Sequence, residues 1–425
     1  MRSFGGQVRS RLAGGRVGSG RARSVDSLDR PPEHQNIEGI QPLDWYRLGL
    51  ERLLGVPASD GSTVRTLRNG DEIFPAMLDA IRESNETVDL CTFVYWTGDI
   101  AEAMAEALSE RARAGVRVRV LVDAVGGRQM ENSLTAMMEE AGVDFRWFRP
   151  MVQWRFWEAE HRTHRKILVC DGKVGFTGGV GIAAEWEGDG RSPGNWRDSH
   201  FRFEGPVVAQ IHASFLRNWV ETDGARVLEV FEAQPAPDDL DDGSAMMVVH
   251  GHASTVWSDT GLLLRSLVAS ARERIRIHTA YFSPDDDFLA RLLDAAERGV
   301  DIQILLPGSH IDKRVAAITR DIDLEKVLDA GIRVWRYRPS MMHMKAVSVD
   351  GQLACVGSAN VNGRSMARDD EVSVIVLDPR FAQGLEADFE ADLEHADPVQ
   401  RRRWRRRSIF RKGFEQVLRP FKRFF

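Results

Sequence analysis

The chain has 425 residues, of which 43% are hydrophobic and 28% charged, a composition typical of a folded globular protein with room for two or three domains. Its three cysteines, Cys91, Cys170 and Cys355, show no CxxC spacing, which argues against a disulfide framework and against a zinc site. No run of 18 apolar residues occurs, so we expect neither a transmembrane helix nor a signal peptide.

The net charge of −6 conceals a separation of charge along the chain. Residues 1–24 hold six arginines and no acid, and residues 401–425 hold eleven basic residues and one glutamate. Removing these +6 and +10 ends from the total leaves a body near −22. An acidic body argues against a general nucleic-acid-binding surface, and basic ends favour attachment to something anionic.

The first 40 residues are rich in Gly, Arg and Ser, so residues 1–40 are predicted to be a disordered basic segment. An organelle transit peptide has a similar composition and remains the alternative.

Two stretches, from about 65 to 224 and from about 248 to 393, repeat one order of elements. In each, a helical run precedes an apolar strand (TVDLCTFVYW, RIRIHTAYF), and a helix, a Gly-Val turn and a β-branched strand follow (ALSERARAGVRVRVLVDA, RLLDAAERGVDIQILLPG). This predicts an α/β protein of two similar lobes, each a mixed β-sheet flanked by helices. The predicted boundaries are 41–231 for the first lobe, 232–244 for a Pro/Asp/Gly-rich linker and 245–396 for the second lobe.

Each lobe contains one copy of an unusual motif, HRKILVCDGKVGFTGGVG at 164–181 and HMKAVSVDGQLACVGSAN at 343–360. Both copies read His-x-Lys, four residues, Asp, six residues, Gly. Residues two apart in a strand project from the same face, so His164 should lie beside Lys166 and His343 beside Lys345.

A neutral imidazole beside an ammonium group suits attack on a phosphodiester, because the lysine stabilises charge on the phosphoryl oxygens. A second histidine can protonate the leaving alcohol and then deprotonate the incoming alcohol or water. The side chain of Asn360 can donate to a phosphoryl oxygen. The lysines supply the positive charge, so we expect no metal and no other cofactor.

Each histidine also needs a carboxylate on its other ring nitrogen. Asp198 and Glu371 are the candidates, since each lies eight residues before a proline at the head of an alternating strand. Asp171 and Asp350 precede glycine in DG turns and are predicted to be scaffold carboxylates. Gly357 and Ser358 are assigned to the motif scaffold.

The doubled HxKx4Dx6G pattern resembles the phospholipase D superfamily. The segments TAYFSPD, LLPGSHID, MMHMKAVSVDG, GSANVNGRS and DDE resemble bacterial cardiolipin synthases, in a short form without transmembrane helices. The resemblance covers roughly residues 65–425. It implies that the lobes meet about a pseudo-two-fold axis and form one active site at their interface. It also implies a phosphatidyl-histidine intermediate, with His164 as nucleophile and His343 as general acid and base.

Three positions depart from the family pattern. Gly181 replaces the usual asparagine of the first motif, which leaves open which histidine carries the intermediate. Ala280 stands where proline is usual, and Asn362 where aspartate is common. The latter two leave the acceptor alcohol open.

The tail RRRWRRRSIFRKGFEQVLRPFKRFF has aromatic and aliphatic residues at helical spacing among arginines. Residues 397–425 are therefore predicted to be a basic amphipathic tail that binds an anionic phospholipid membrane. This placement predicts a peripheral protein on the cytoplasmic face of a bacterial cell membrane. Docking of the tail on the acidic body, or nucleic-acid binding by it, are the alternatives. The aromatic stretch at 147–164 fits either an acyl-chain channel or lobe core.

The predicted function is phosphatidyl transfer from one phospholipid to the alcohol of another, making cardiolipin and glycerol from phosphatidylglycerol. Phosphatidylethanolamine is left open as the second donor or acceptor. The rivals are a hydrolase that releases phosphatidic acid, a nuclease-type phosphodiesterase and a non-catalytic lipid-binding protein. We expect phospholipid substrates and no nucleic-acid partner. The oligomeric state is left open, because a monomer suffices to form the site.

Overall fold

The computed structural model describes residues 41–150, 161–222, 240–252, 258–312 and 321–407. The fold reported below is that of the compact unit that begins at Pro42. The predictions for residues 1–40, for most of the linker, for residues 151–160 of the aromatic stretch and for the tail beyond Arg407 lie outside the described residues.

Helices and strands alternate through most of the described chain. The helices are α1 Pro42–Leu54, α2 Asn69–Glu83, α3 Asp99–Arg113, α4 Asn132–Glu140, α5 Val207–Thr222, α6 Asp259–Ser270, α7 Asp286–Glu297, α8 Leu324–Asp329, α9 Pro379–Leu393 and α10 Arg401–Arg405. The strands are β1 Ser59–Arg68, β2 Thr87–Thr92, β3 Arg117–Asp123, β4 Asp144–Phe148, β5 Ile167–Cys170, β6 Val174–Gly178, β7 Ser199–Glu204, β8 Ser244–Gly251, β9 Arg274–His278, β10 Asp301–Pro307, β11 Arg333–Tyr337, β12 Ala346–Val349, β13 Leu353–Gly357, β14 Glu371–Leu377 and β15 Ala396–Pro398. Across these ranges, no helix combines the length and apolar character needed to cross a bilayer.

One sheet contains all fifteen strands, in the order β15-β11-β10-β9-β12-β13-β14-β8-β1-β7-β6-β5-β2-β3-β4. Counted outward from the central β8–β1 pair, the two halves have equivalent strands in the same order, and β15 extends the second half. In each half three neighbouring strands are parallel, β2 to β4 and β9 to β11. The prediction of two similar α/β lobes related by a pseudo-two-fold is confirmed.

The two lobes share a continuous sheet, which the repeat alone did not predict. β1 and β8 pair antiparallel through Ser59 with Met246 and Ser62 with Ser244, and the register shifts between these two pairs. This short, irregular junction lies at the centre of the pseudo-symmetry. The equivalent strands β2 and β9 therefore lie in opposite halves of one sheet.

Local sequence explains why the inner elements form where they do. β2 and β13 are buried along their whole length, as expected for apolar strands covered on both faces. The Asp285 side chain accepts a hydrogen bond from Phe288 N at 2.8 Å and caps α7. Asp378 caps α9 in the same way, with Pro379 in the first turn, where proline is tolerated.

The hydrophobic core has three parts. One cluster belongs to the first lobe and contains residues of α2 and α3, and a second belongs to the second lobe and contains residues of α6 and α7. A third cluster draws on both lobes and includes Phe215 of α5 and Phe389 of α9. This shared core fixes the lobes against each other beneath the site described below.

Helix α1 packs on the second lobe, although the predicted boundaries assign it to the first. Its buried residues Tyr46 and Leu50 belong to the cluster that contains Leu263 and Leu267 of α6. The Tyr46 hydroxyl also donates to the carboxylate of Asp350. The first described helix therefore packs on the second lobe, and the strand that follows it, β1, belongs to the first.

Candidate active site

The two His-x-Lys segments are held by backbone hydrogen bonds that cross between the lobes. His164 N donates to Asp370 O at 2.9 Å, and Asp370 N donates back to Arg162 O at 2.9 Å. In the other half His343 N donates to Arg197 O at 2.7 Å, and Arg197 N donates to the carbonyl of residue 341 at 2.9 Å. Each histidine is thus positioned by the residue immediately before the carboxylate of the opposite lobe.

The four predicted His and Lys side chains lie together at the lobe interface. His164, Lys166, His343 and Asn360 line one cavity of about 360 Å³, and the Lys345 ammonium contacts the His343 ring. Aromatic, polar and charged residues of both lobes complete the wall: Phe93, Val94, Trp96, Val125, Arg162, Trp186, Trp196, Tyr281, Asp312, Asn362, Arg364, Ser365 and Asp369. The geometry therefore places both motifs around one space.

Each histidine pairs with the carboxylate of the opposite lobe. His164 Nδ1 lies 3.1 Å and 3.2 Å from the two carboxylate oxygens of Glu371, and His343 Nδ1 lies 2.8 Å from Asp198 Oδ2. A carboxylate on Nδ1 fixes the proton there and leaves Nε2 as the basic nitrogen. The internal match of Asp198 and Glu371 identified both groups, but it did not reveal that the pairs cross.

The lysines lie against the histidines of their own motifs. Lys166 Nζ donates to His164 O at 2.8 Å, and Lys345 Nζ lies 2.9 Å from His343 Nδ1 and 3.1 Å from its Nε2. Burial lowers the pKa of Lys166 to about 8 and the pKa of Lys345 to about 7. A bound phosphodiester anion would favour the charged form of both.

Both imidazoles are neutral at pH 7. Burial, reinforced by the neighbouring lysine, lowers the pKa of His164 to about 4 and that of His343 to about 3. Although burial opposes it, the hydrogen bond and charge of His343 hold the pKa of Asp198 at about 2. The pKa of Glu371 is lowered against the same opposing burial, mainly by His164. The site thus combines two neutral imidazoles, ionised carboxylates and nearby cations, as phosphoryl chemistry requires.

Asp171 and Asp350 lie away from the cavity, in the hairpin turns after β5 and β12. Both have a positive φ, 51° and 54°, and each precedes a glycine with positive φ, which is the geometry of a two-residue hairpin turn. Asp171 accepts from the backbone N–H groups of residues 85–87, and Asp350 accepts from those of residues 272–274. In both lobes the carboxylate therefore ties the hairpin to the start of the neighbouring strand, β2 in the first lobe and β9 in the second.

Gly357 and Ser358 pack against the head of β14. Gly357 has φ 152°, and a Cβ there would lie 2.1 Å from Val372 O, so only glycine fits. The Ser358 hydroxyl donates to Glu371 Oε2, and Val372 N donates back to it at 3.1 Å. Ser358 thus holds the carboxylate that orients His164.

Trp186 takes the corresponding place in the first lobe, and the sequence analysis missed it. Its indole Nε1 donates to Asp198 Oδ2 at 3.0 Å, as the Ser358 hydroxyl does to Glu371. A Cβ on Gly181 would lie 3.1 Å from the Trp186 ring and 2.8 Å from Val94 Cβ. The indole therefore occupies the space that an asparagine at 181 would need. The glycine at position 181, in place of the usual asparagine, is the sequence signal that a bulky side chain fills this space.

Three aromatic rings lie close to the imidazole of His343. The ring centroids of Trp186, Trp196 and Tyr281 lie 5.3, 5.1 and 6.3 Å from that of the imidazole. Both tryptophans belong to residues 185–196, EWEGDGRSPGNW. This segment contains the six residues by which the spacing from His164 to Asp198 exceeds the spacing from His343 to Glu371. Of the other departures, Asn362 lines the cavity, whereas Ala280 is fully buried beside Tyr281.

Known proteins are similar to this chain in sequence. The family described as cardiolipin synthase, PLD-like domain, matches residues 77–185 and 264–393. The cardiolipin synthase of Halalkalibacterium halodurans is 32% identical over 387 residues, which cover 91% of this chain and 76% of the relative. Cardiolipin synthase 2 of Bacillus anthracis is 32% identical over 378 residues, 88% of this chain and 73% of the relative.

Among solved structures, the phosphatidylserine synthase of Haemophilus influenzae Rd KW20 has a similar fold. The TM-score is 0.67 at 13% sequence identity, and the match covers 88% of this chain and 98% of that one. At this identity the likeness supports the fold alone.

Proposed function

The chain belongs to the cardiolipin synthase family with phospholipase D-like domains, and on that premise we propose that it is a phosphatidyltransferase. Two molecules of phosphatidylglycerol would yield one cardiolipin and one glycerol. The observation that carries this proposal is the pair of crossed contacts, His164 with Glu371 and His343 with Asp198, around one cavity.

In the first step, Nε2 of His164 attacks the phosphorus of the donor lipid. A P–N bond forms while the bond from phosphorus to the glycerol headgroup oxygen breaks. Lys166, Lys345 and the Asn360 amide stabilise charge on the non-bridging oxygens. Binding of the anion raises the pKa of His343, which takes up a proton from solvent on Nε2 and gives that proton to the leaving oxygen. The His164 side chain is 14% exposed and that of His343 is 5% exposed, which favours His164 as the nucleophile.

In the second step, a hydroxyl group of the acceptor lipid loses its proton to His343. The resulting oxygen attacks the phosphorus, the P–N bond breaks, and His164 returns to its neutral form. His343 is protonated again and ready for the next cycle. The Trp186 and Trp196 rings beside His343 limit the access of water, which favours transfer over release of phosphatidic acid.

A peripheral position at the cytoplasmic face of the bacterial membrane is part of the proposal. Helix α10 is basic, and four of its residues, Arg401, Arg402, Arg403 and Arg405, are exposed. Two of its arginines, Arg401 and Arg405, pair with Asp329, so α10 is anchored to the second lobe. The remaining positive charge suits an anionic leaflet.

Incubation of the purified protein with labelled phosphatidylglycerol vesicles tests the proposal. Cardiolipin and released glycerol, in equal amounts, are the expected products. Phosphatidic acid as the main product would assign a hydrolase, and unchanged lipid would contradict the proposed activity. His343→Ala provides the inactive control.

A further inference from the structure

Two buried oxygens that belong to cavity-lining residues accept no hydrogen bond within the described part of the chain. They are Oδ1 of Asp369 and Oδ1 of Asn360, which belong to residues only 5% and 2% exposed. Leaving a buried acceptor without a donor is unfavourable, so unpaired acceptors in a cavity wall indicate a ligand that brings donors.

Asp369 lies close in sequence to Glu371, the carboxylate that pairs with His164. It precedes Glu371 by two residues, and the residue between them projects elsewhere, since Asp370 Oδ2 accepts from Asn218 Nδ2 at 2.9 Å. The other carboxylate oxygen of Asp369, Oδ2, accepts from Arg364 Nε at 2.9 Å. Asp369 N donates to Arg364 O at 3.2 Å, which holds the loop in place. One oxygen is thus fixed and the second is left for a ligand.

The donor phosphodiester cannot satisfy these oxygens, because its own oxygens are all acceptors. A hydroxyl group can, since it donates a hydrogen bond. We propose that Asp369 binds a hydroxyl group of a polyol headgroup, the glycerol of the leaving or accepting phospholipid, beside His164. This inference rests on the proposed function and names the alcohol that the site selects.

The electrostatics of the loop agree with an uncharged ligand group. Burial, to which the charge of Glu371 adds, raises the pKa of Asp369 to about 7, although Arg364 opposes the shift. A hydroxyl donor at Oδ1 would stabilise the ionised carboxylate. A second phosphate at the same place would be repelled by it.

Competition between two alcohols tests the inference. Phosphatidylglycerol vesicles are incubated with deuterated glycerol and deuterated ethanol together, and the labelled lipids are quantified by mass spectrometry. Both alcohols react with the same intermediate, so the product ratio does not depend on the step that forms it. Ethanol supplies the attacking oxygen but no further hydroxyl group. We expect Asp369→Leu to lower the glycerol-to-ethanol ratio about tenfold or more, and Asp369→Asn to lower it less.

Asp312→Leu is the matched control. Asp312 lines the same cavity, but it is exposed, so solvent can satisfy the carboxylate oxygen that does not accept from the Tyr281 hydroxyl. We therefore expect the ratio to stay at the wild-type value. An unchanged ratio in Asp369→Leu, or an equal loss of both products, would overturn the inference while leaving the transferase intact. Wild-type protein that transfers to neither alcohol and forms no cardiolipin would overturn the proposed function as well.

Discussion

Glu371 of the second lobe lies 3.1 Å from Nδ1 of His164 of the first, and Asp198 of the first lobe lies 2.8 Å from Nδ1 of His343 of the second. Neither lobe therefore contains a complete hydrogen-bonded pair of histidine and carboxylate. The crossed pairs make the relative position of the lobes part of the chemistry, and the shared core beneath them holds that position.

Neutralising either carboxylate should impair the histidine of the opposite lobe. We expect Glu371→Gln and Asp198→Asn each to lower kcat by about 100-fold or more, because the imidazole loses its fixed tautomer. Since the charge of Glu371 raises the pKa of His164, its removal should also move the acidic limb of kcat/KM to lower pH. The pH dependence of cardiolipin formation measures both effects. Wild-type rates in these variants would contradict the crossed arrangement.

Activity should fall as pH rises above neutrality. Lys345 and Lys166, with pKa values of about 7 and about 8, are cationic below those values and lose the charge that stabilises the phosphoryl oxygens above them. In Lys345→Arg the group stays charged, so the lower of the two basic transitions in kcat/KM should disappear, although the maximal rate falls. A profile identical to wild type would exclude Lys345 as the source of the basic limb.

Trp186→Phe removes the indole N–H and keeps a ring in its place. Asp198 then loses one of the donors that orient it, and we expect kcat to fall about tenfold, with little change in KM. Trp196→Phe is the control, because Trp196 contacts the His343 ring and no bond from it to Asp198 is found among the described residues. Equal effects of the two substitutions would argue against the role of the Trp186 hydrogen bond.

Asp350→Asn should destabilise the fold without altering the chemistry of the folded fraction. Asparagine tolerates the positive φ of this turn, but its amide places N–H groups against the backbone donors of residues 272–274. We expect a loss of about 2–4 kcal/mol in the free energy of unfolding, measured by denaturant titration. Asp79→Asn, an exposed carboxylate on α2, should leave stability unchanged. No loss of stability in Asp350→Asn would contradict the scaffold role of this carboxylate.

Ending the chain after Arg407 should weaken binding to anionic vesicles, most clearly at low salt. This truncation keeps Trp404, which belongs to the core of the second lobe, so the fold should persist. Sedimentation with phosphatidylglycerol vesicles measures the change. Equal binding by the full and shortened chains would favour a tail docked on the protein itself.

The internal repeat predicts much of this architecture because it carries long-range information. Matching the two motifs brought out all four His and Lys residues, and matching the strands after them brought out Asp198 and Glu371. The repeat could not show which carboxylate serves which histidine, since that depends on how the lobes face each other.

Other features depend on contacts that have no periodic signal. The Tyr46 hydroxyl donates a hydrogen bond to Asp350, which is far away in sequence, and the Trp186 ring fills the space beside Gly181. Tyr46 precedes the repeat, and Trp186 lies in the part of the first copy that is six residues longer than the second, so neither can be inferred from the other copy.

The central claim is that two histidines from different lobes act on one phosphorus, with His164 forming the bond. Wild-type protein turning over phosphatidylglycerol can be quenched in alkaline denaturant, digested and analysed by mass spectrometry. We predict a phosphatidyl adduct on His164, which is absent from His164→Ala. Cardiolipin synthesis that continues at the wild-type rate in His164→Ala, with no adduct on either histidine, would contradict it.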